Sequence, residues 1–264
     1  MPKILSFDII NSIIDLYKSG KSSMSIGKEL GISQKTVLAY LKKSNVEIRS
    51  RINNVDENYF SSIDTQEKAY LLGYLFADSC VRYNTTKRYY GVRLKIHEKD
   101  IHILEFMKKE MNCDNSVFKK ESGTNCISLT ISSKKIAEDL IKLGCTPKKS
   151  LTLKFPKINN EYINSFILGY FDGDGSIYLY KNQIHFKLLG TLSFLSSISK
   201  YFESYGVLYK VEKYPSSNIY QYRVFSKKSI EKIYNILYKN TCNTFLERKK
   251  IIFDKILKNN NINA

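Results

Sequence analysis

The chain has no tryptophan, only three histidines and five cysteines in 264 residues, and acidic side chains are its minority charge. The cysteines (Cys80, Cys113, Cys126, Cys145, Cys242) are odd in number, lie far apart and form no Cys-x-x-Cys pair. That argues against a disulfide framework and against a zinc site. With no signal peptide apparent, a cytoplasmic setting is expected, and an organellar or phage origin stays open. His97 and His102 fall on different helix faces and His185 stands alone, a poor basis for an imidazole metal site. No apolar run reaches the roughly 18–20 residues that span a bilayer, so no membrane partner is expected. Twenty tyrosines without tryptophan fit a polar surface sparing in aromatic contacts.

Positive charge is what the chain has in excess. Forty-two basic against 25 acidic residues leave a net charge of +17, which points to a polyanion as partner. The hydrophobic fraction of 43% suffices for one large core or two smaller ones beside a small extra module.

The first 50 residues read as three short helices. Ile9, Ile10, Ile13, Ile14, Leu16 and Tyr17 have helical spacing that stops at Gly20. Ser23 to Leu41 then has the pattern of a helix-turn-helix. Gly27 permits a close crossing, Gly31 turns the chain, and Val37 and Leu41 pack back. Ser33 can cap the second of these helices. Gln34, Lys35, Thr36 and Tyr40 are then expected to face outward, where a recognition helix reads a duplex. Lys42, Lys43, Arg49 and Arg51 continue the basic track. The expected organisation is a helix-turn-helix domain over 1–50, a linker over 51–62, and two related halves over 63–157 and 158–264.

Those halves repeat one order of elements: helix, hairpin, helix, hairpin, helix. Asp64 with Glu67 has a capping-box pattern at the start of the first helix. In the first half Val92, Leu94 and Ile96 alternate with Arg93 and Lys95; in the second Ile184, Phe186 and Leu188 alternate with His185 and Lys187. One sheet face is therefore apolar and the other polar and basic. The fold class is α+β, a pseudo-twofold pair of αββαββα halves, with a small all-α domain in front.

Each half opens on nearly the same phrase. Leu71-Leu72-Gly73-Tyr74-Leu75-Phe76-Ala77-Asp78-Ser79 returns as Ile167-Leu168-Gly169-Tyr170-Phe171-Asp172-Gly173-Asp174-Gly175, the acids 96 positions apart. A glycine on a contact face lets two helix backbones approach more closely than the usual 8–10 Å. If the two runs cross there, Asp78 and Asp174 arrive together where the helices end. Two carboxylates at one point repel unless a cation holds them, and an acid is unfavourable at a helix C-terminus. A divalent metal site follows, and hard oxygen ligands suit Mg²⁺.

These residues resemble the LAGLIDADG homing endonuclease family in its single-chain, two-motif form. The third-position small residue and the eighth-position acid are present in both copies. The first copy departs, with Phe76 at the sixth position, where the second has Asp172, and Ser79 at the last. The resemblance implies a DNA-binding saddle over about residues 64–253 and cleavage of both strands across the minor groove, leaving short 3′ overhangs at a long asymmetric target. It implies metal binding through Asp78 and Asp174, with the carbonyls of Ala77 and Gly173 as further ligands. It also implies a basic residue late in each half, matched by Lys149 and Lys249, with Lys148 or Arg248 as alternatives.

Strand alternation nominates residues for the saddle face, where side chains would reach phosphates and base edges. In the first half they are Arg82, Asn84, Arg88, Arg93, Lys95, Lys119 and Asn125. In the second they are Tyr180, Asn182, Gln183, His185, Lys187, Lys213, Gln221 and Arg223. The expected protein is a monomeric, magnesium-dependent double-strand DNA endonuclease, freestanding or intron-encoded. A non-cleaving DNA-binding regulator and an RNA maturase acting on intron RNA are the rival readings.

Overall fold

Three helices make the first of two units, Met1–Ile52: α1 (Phe7–Lys18), α2 (Ser23–Glu29) and α3 (Gln34–Lys43). The computed structural model describes residues 5–48, 55–113, 118–181, 183–215 and 218–258, so Arg49, Arg51 and Asn182 lie outside the described residues. Ile13, Ile26, Val37 and Leu41 are fully buried in this unit's core. At Gly27 a Cβ would stand 2.7 Å from the Ile32 carbonyl oxygen, so the α2–α3 crossing needs its hydrogen. Gly31 takes φ +67° in the turn. Ser33 caps α3, its hydroxyl accepting the Thr36 N–H at 3.1 Å.

The second unit, Asn53–Ala264, contains both halves. The first half runs α4 (Gln66–Asp78), β1 (Ser79–Asn84), β2 (Tyr89–His97), α5 (Ile101–Glu110), β3 (Lys119–Lys120), β4 (Cys126–Ile131) and α6 (Lys134–Lys142). The second runs α7 (Ile163–Asp174), β5 (Ser176–Tyr180), β6 (Gln183–Gly190), α8 (Leu192–Glu203), β7 (Lys210–Lys213), β8 (Tyr220–Val224) and α9 (Lys227–Tyr238), followed by α10 (Glu247–Lys258). The two four-stranded antiparallel sheets have the same strand order, β1-β2-β4-β3 and β5-β6-β8-β7. That is the α+β, two-half architecture read from the sequence. Among the described residues no helix is long and apolar enough to cross a membrane.

Three local expectations change. Val55, Tyr59 and Phe60 are buried in the main core, so part of the stretch expected as a linker packs with the second unit. Thr65, not Asp64, caps α4 by accepting the Lys68 N–H at 3.1 Å, while Asp64 pairs with the Lys68 ammonium at 2.7 Å. The final helix α10 has no counterpart in the expected order, and it carries Lys249.

Among the described residues, the seam between α4 and α7 is the most extensive contact between helices. Ala69 to Phe76 are buried without a break in α4, as are Ser165 to Asp172 in α7. Such helices show little sidedness because they are enclosed on all faces. A Cβ on Gly73 would lie 2.0 Å from the Phe166 carbonyl oxygen, and one on Gly169 would lie 2.0 Å from that of Tyr70. The two contacts are equivalent under the pseudo-twofold rotation. No residue larger than glycine fits either place without separating the helices.

Candidate active site

Beyond the two glycines the helices stay in touch to their ends. A Cβ on Gly173 would stand 2.3 Å from the Ala77 Cβ and 3.6 Å from Asp78 Oδ2. The Asp78 carboxylate therefore lies against the backbone next to Asp174. The structure brings Asp78, Ala77, Gly173 and Asp174 to one point. Both acids touch solvent, yet the surrounding protein weighs on their charge. Asp174 is pushed up to about 6, first by burial and then by repulsion from Asp78, with Lys149 and Lys249 working in the other direction. Asp78 is also raised by burial, with Lys249 and then Lys149 opposing.

Lys149 and Lys249 are almost completely buried, at 7% and 4% exposure. Neither reaches out to solvent. Lys149 donates to the Ser79 carbonyl; Lys249 donates to those of Phe171 (2.5 Å), Asp172 (2.8 Å) and Gly175 (2.6 Å). Ser79 and Gly175 are the ninth residues of their motifs, so the two ammonium groups occupy matching places. Each caps the negative end of its motif helix, an arrangement the dipole favours. Burial lowers Lys249 to about 8, against the pull of Asp172. A cleft of about 230 Å³ is lined by Lys149, Ser150, Tyr170 and Asp174 among others, so the first half's lysine and the second half's acid share one opening.

The two alternatives are placed elsewhere. Arg248 donates two hydrogen bonds to the buried Asp100, Nε to Oδ1 at 3.1 Å and a terminal nitrogen to Oδ2 at 2.9 Å. Lys148 is exposed with φ 57°.

Strand register decides the saddle face. In the first sheet the rows Cys80–Arg93–Thr130 and Lys95–Ser128–Lys119 share the outer side with Arg82 and Asn84. In the second the row Ser176–Lys187–Arg223–Lys210 shares it with Tyr178, Tyr180, Gln183, His185 and Gln221. Arg88 and Asn125 are exposed in turns. Lys213 is a correction: it pairs with Tyr220, which on its other side pairs with Gly190, and it has the parity of Val211, the packed side.

Several outward residues are already engaged. Arg93 pairs with Glu121, and Arg82 donates to the Tyr89 hydroxyl. Arg223 bonds Glu212 at 3.0 Å, which also accepts from Gln221 at 3.4 Å. His185 stacks on Tyr178 with centroids 4.9 Å apart, and neither ring nitrogen has a partner among the described residues. In the first unit Lys35 is exposed. Tyr40, expected outward, turns toward the core, and its hydroxyl accepts the Leu5 N–H at 3.1 Å. Gln34 donates to Ser23 at 3.0 Å, and the Thr36 hydroxyl meets that of Ser33 at 2.8 Å.

Sequence reasoning missed the Asp100–Arg248 pair and the fastening of the 242–246 segment to α7. Those partners lie far apart along the chain and share no motif.

Residues 161–238 match the family model of a LAGLIDADG-like domain. Among solved structures, a lysine-to-alanine variant of I-SmaMI superposes with a TM-score of 0.52 at 14% identity, over 72% of this chain and 89% of that one. The I-LtrWI LAGLIDADG homing endonuclease bound to target DNA gives 0.50 at 16% identity, over 79% and 94%. I-DmoI in complex with DNA and Mn gives 0.50 at 18%, over 66% and 97%. At these identities the structures establish a shared fold. A search of curated protein sequences found no significant match. The second half thus matches a LAGLIDADG-like domain, and the two-half saddle is the fold of single-chain LAGLIDADG homing endonucleases.

Proposed function

We propose that this chain is a sequence-specific double-strand DNA endonuclease that hydrolyses phosphodiesters with a divalent metal, Mg²⁺ by the hardness of its ligands. The observation that carries the reading is the meeting of Asp78 and Asp174, one from each half, at the end of a glycine seam. An acid at the negative end of a helix costs stability, and two side by side cost more. A structural role would not select them.

The donors present fit a hard cation. Carboxylates and backbone carbonyls are the oxygen ligands Mg²⁺ takes, and it usually keeps several waters. Among the described residues no cluster of three or more His, Cys, Asp or Glu competes as a metal site. Asp78 and Asp174 would hold the metal, with the Ala77 and Gly173 carbonyls close by. When bound, it would supply an activated water and charge neutralisation at the leaving oxygen.

The chain's own groups do the rest. Lys149 and Lys249 put fixed positive charge beneath the acids, lowering the cost of bringing a phosphate to them. Arg82, Arg88, Lys95, Lys119, Lys187 and Lys210 give the outer sheet faces a positive field for the DNA backbone. Two acids serve two strands, so two cuts are expected. The first unit, with Lys35, Lys42 and Lys43 exposed, supplies a further duplex contact.

The test is cleavage of a randomised duplex library with Mg²⁺, comparing the natural chain with the double variant Asp78→Asn plus Asp174→Asn. Metal-dependent double-strand breaks by the natural chain alone support the reading. Equal cutting by both proteins refutes it. Binding without cutting by the natural chain would transfer the assignment to a DNA-binding regulator.

A further inference from the structure

The motif helices differ most at one buried position. Phe76 in α4 packs edge-on against Phe166, with centroids 5.2 Å apart. The matching residue in α7 is Asp172, 1% exposed. Its Oδ2 accepts from the Tyr70 hydroxyl at 2.9 Å and from the Leu246 N–H at 2.9 Å. Its Oδ1 is buried without a partner among the described residues. A buried carboxylate of this kind is weak as a stabilising device, and well-packed apolar groups commonly do as well or better. The first half shows that this fold accepts an aromatic ring there. Stability does not explain Asp172.

Placement does. Ser165, also on α7, accepts the Cys242 N–H at 3.2 Å, so the 242–246 segment is pinned to α7 twice. The Leu246 carbonyl then accepts the N–H of Lys249 at 2.9 Å and of Lys250 at 3.3 Å, opening α10. From there the Lys249 side chain passes over the Phe171 ring at 4.7 Å to its three carbonyls. Lys149 has no such anchor. It follows Lys148 in a 3₁₀ turn, and among the described residues no α4 side chain bonds the backbone of 145–149. The nearest tie is the Cys145 thiol on the Leu75 carbonyl at 3.5 Å, a weak donor.

We propose that Asp172 is a positioning residue. By holding the Leu246 N–H it sets the start of α10 and delivers the Lys249 ammonium to the end of α7, a support absent from the first half. Its consequence for cutting rests on the nuclease reading; its consequence for Lys249 does not.

The test has two arms on the full chain. In the first, an amine-reactive reagent labels the folded protein and mass spectrometry follows Lys149 and Lys249 separately. In Asp172→Ala, Lys249 labelling should rise about tenfold or more, as expected when a charge-assisted hydrogen bond holding a segment is lost, with Lys149 unchanged. Asp172→Asn keeps an acceptor for the Leu246 N–H and should stay within about twofold of the natural chain. Asp172→Leu removes the acceptor without leaving a large cavity, and covers the case in which the alanine variant fails to fold. Unchanged Lys249 labelling in both the alanine and leucine variants, or an equal rise at Lys149, overturns the proposal.

In the second arm, strand-resolved cleavage of a library-selected target should show Asp172→Leu losing one strand's cut. It should be the strand that Lys249→Met also loses. Equal loss on both strands counts against positioning. Absence of cutting by the natural chain would refute the nuclease reading and leave the labelling result to decide on Asp172.

Discussion

The two halves agree where the helices touch and where they end, and they diverge between those points. Gly73 and Gly169 meet the opposite backbone at the same distance, and Asp78 and Asp174 close the same seam. Two positions before the acid, one helix has a phenyl ring and the other a hydrogen-bonded carboxylate. Close helix approach tolerates only one solution, because a Cβ at either glycine would overlap a carbonyl oxygen. A buried site one turn away tolerates several, provided its volume is filled and its polar atoms find donors. The outer sheet faces show the same latitude. The first half sets Arg93 against Glu121, while the second gathers Tyr178, His185 and Phe225 around Lys187 and Arg223. Under the proposed function, like geometry would serve the metal and unlike faces an asymmetric duplex.

The strongest way to break this comparison is at the acids. Asp78→Asn and Asp174→Asn should each cut double-strand cleavage at least about a thousandfold, since metal charge stabilisation supplies several kcal/mol. Duplex binding, followed by gel shift, should survive both. If one variant still made double-strand breaks at the natural rate, the two acids would not be equivalent. Next in size, Gly73→Ala and Gly169→Ala should each destabilise the second unit by about 3 kcal/mol through overpacking. Thermal melts giving clearly different losses would show that the seam is less symmetric than its contacts.

A finer probe is pH. Without metal, burial and the Asp78 charge push Asp174 up to about 6, and burial brings Lys249 down to about 8. Metal binding needs the carboxylate and transition-state support needs the ammonium. Cleavage should therefore fall at the acid end, where protons compete with the metal for Asp174, and again above about pH 8 as Lys249 loses its ammonium. The stability of the metal-free protein should move the opposite way on the acid side. A carboxyl raised from 3.8 holds its proton more tightly when folded, so stability rises as pH drops from about 6 toward 4. Asp174→Asn should abolish that rise, and its persistence in melts of the variant would assign it to another group. The smallest effect lies in the other unit, where Ser33→Ala should cost about 1 kcal/mol by removing the α3 cap. Melting of the first unit reads it, and cutting by the second unit should be nearly untouched.

Much of this was legible along the chain. Two glycine-to-acid phrases, period-two alternation in Val92 to Ile96 and Ile184 to Leu188, and Ser33 before Gln34 are local signals of local forces. Tyr40 misled because helical periodicity places a residue on a face but not the chain that folds over it; Leu5 reaches its hydroxyl from outside the helix. Lys213 misled because side chains alternate along a strand, and it stands two positions from the inward Val211. The lysines were matched through the family resemblance, and their burial was not foreseen.

The amino-acid sequence alone determined the order of elements, the pairing of two halves and the two acids that end the seam. Tertiary structure alone decided which charges are spent inside the protein. It turned Lys149 and Lys249 inward as helix caps, gave Arg93 to Glu121 and Arg248 to Asp100, and hung Leu246 from Asp172. Such choices depend on partners tens of residues away, most of them 70 or more, and no pattern of neighbouring residues records which atoms a long side chain will meet once water is excluded.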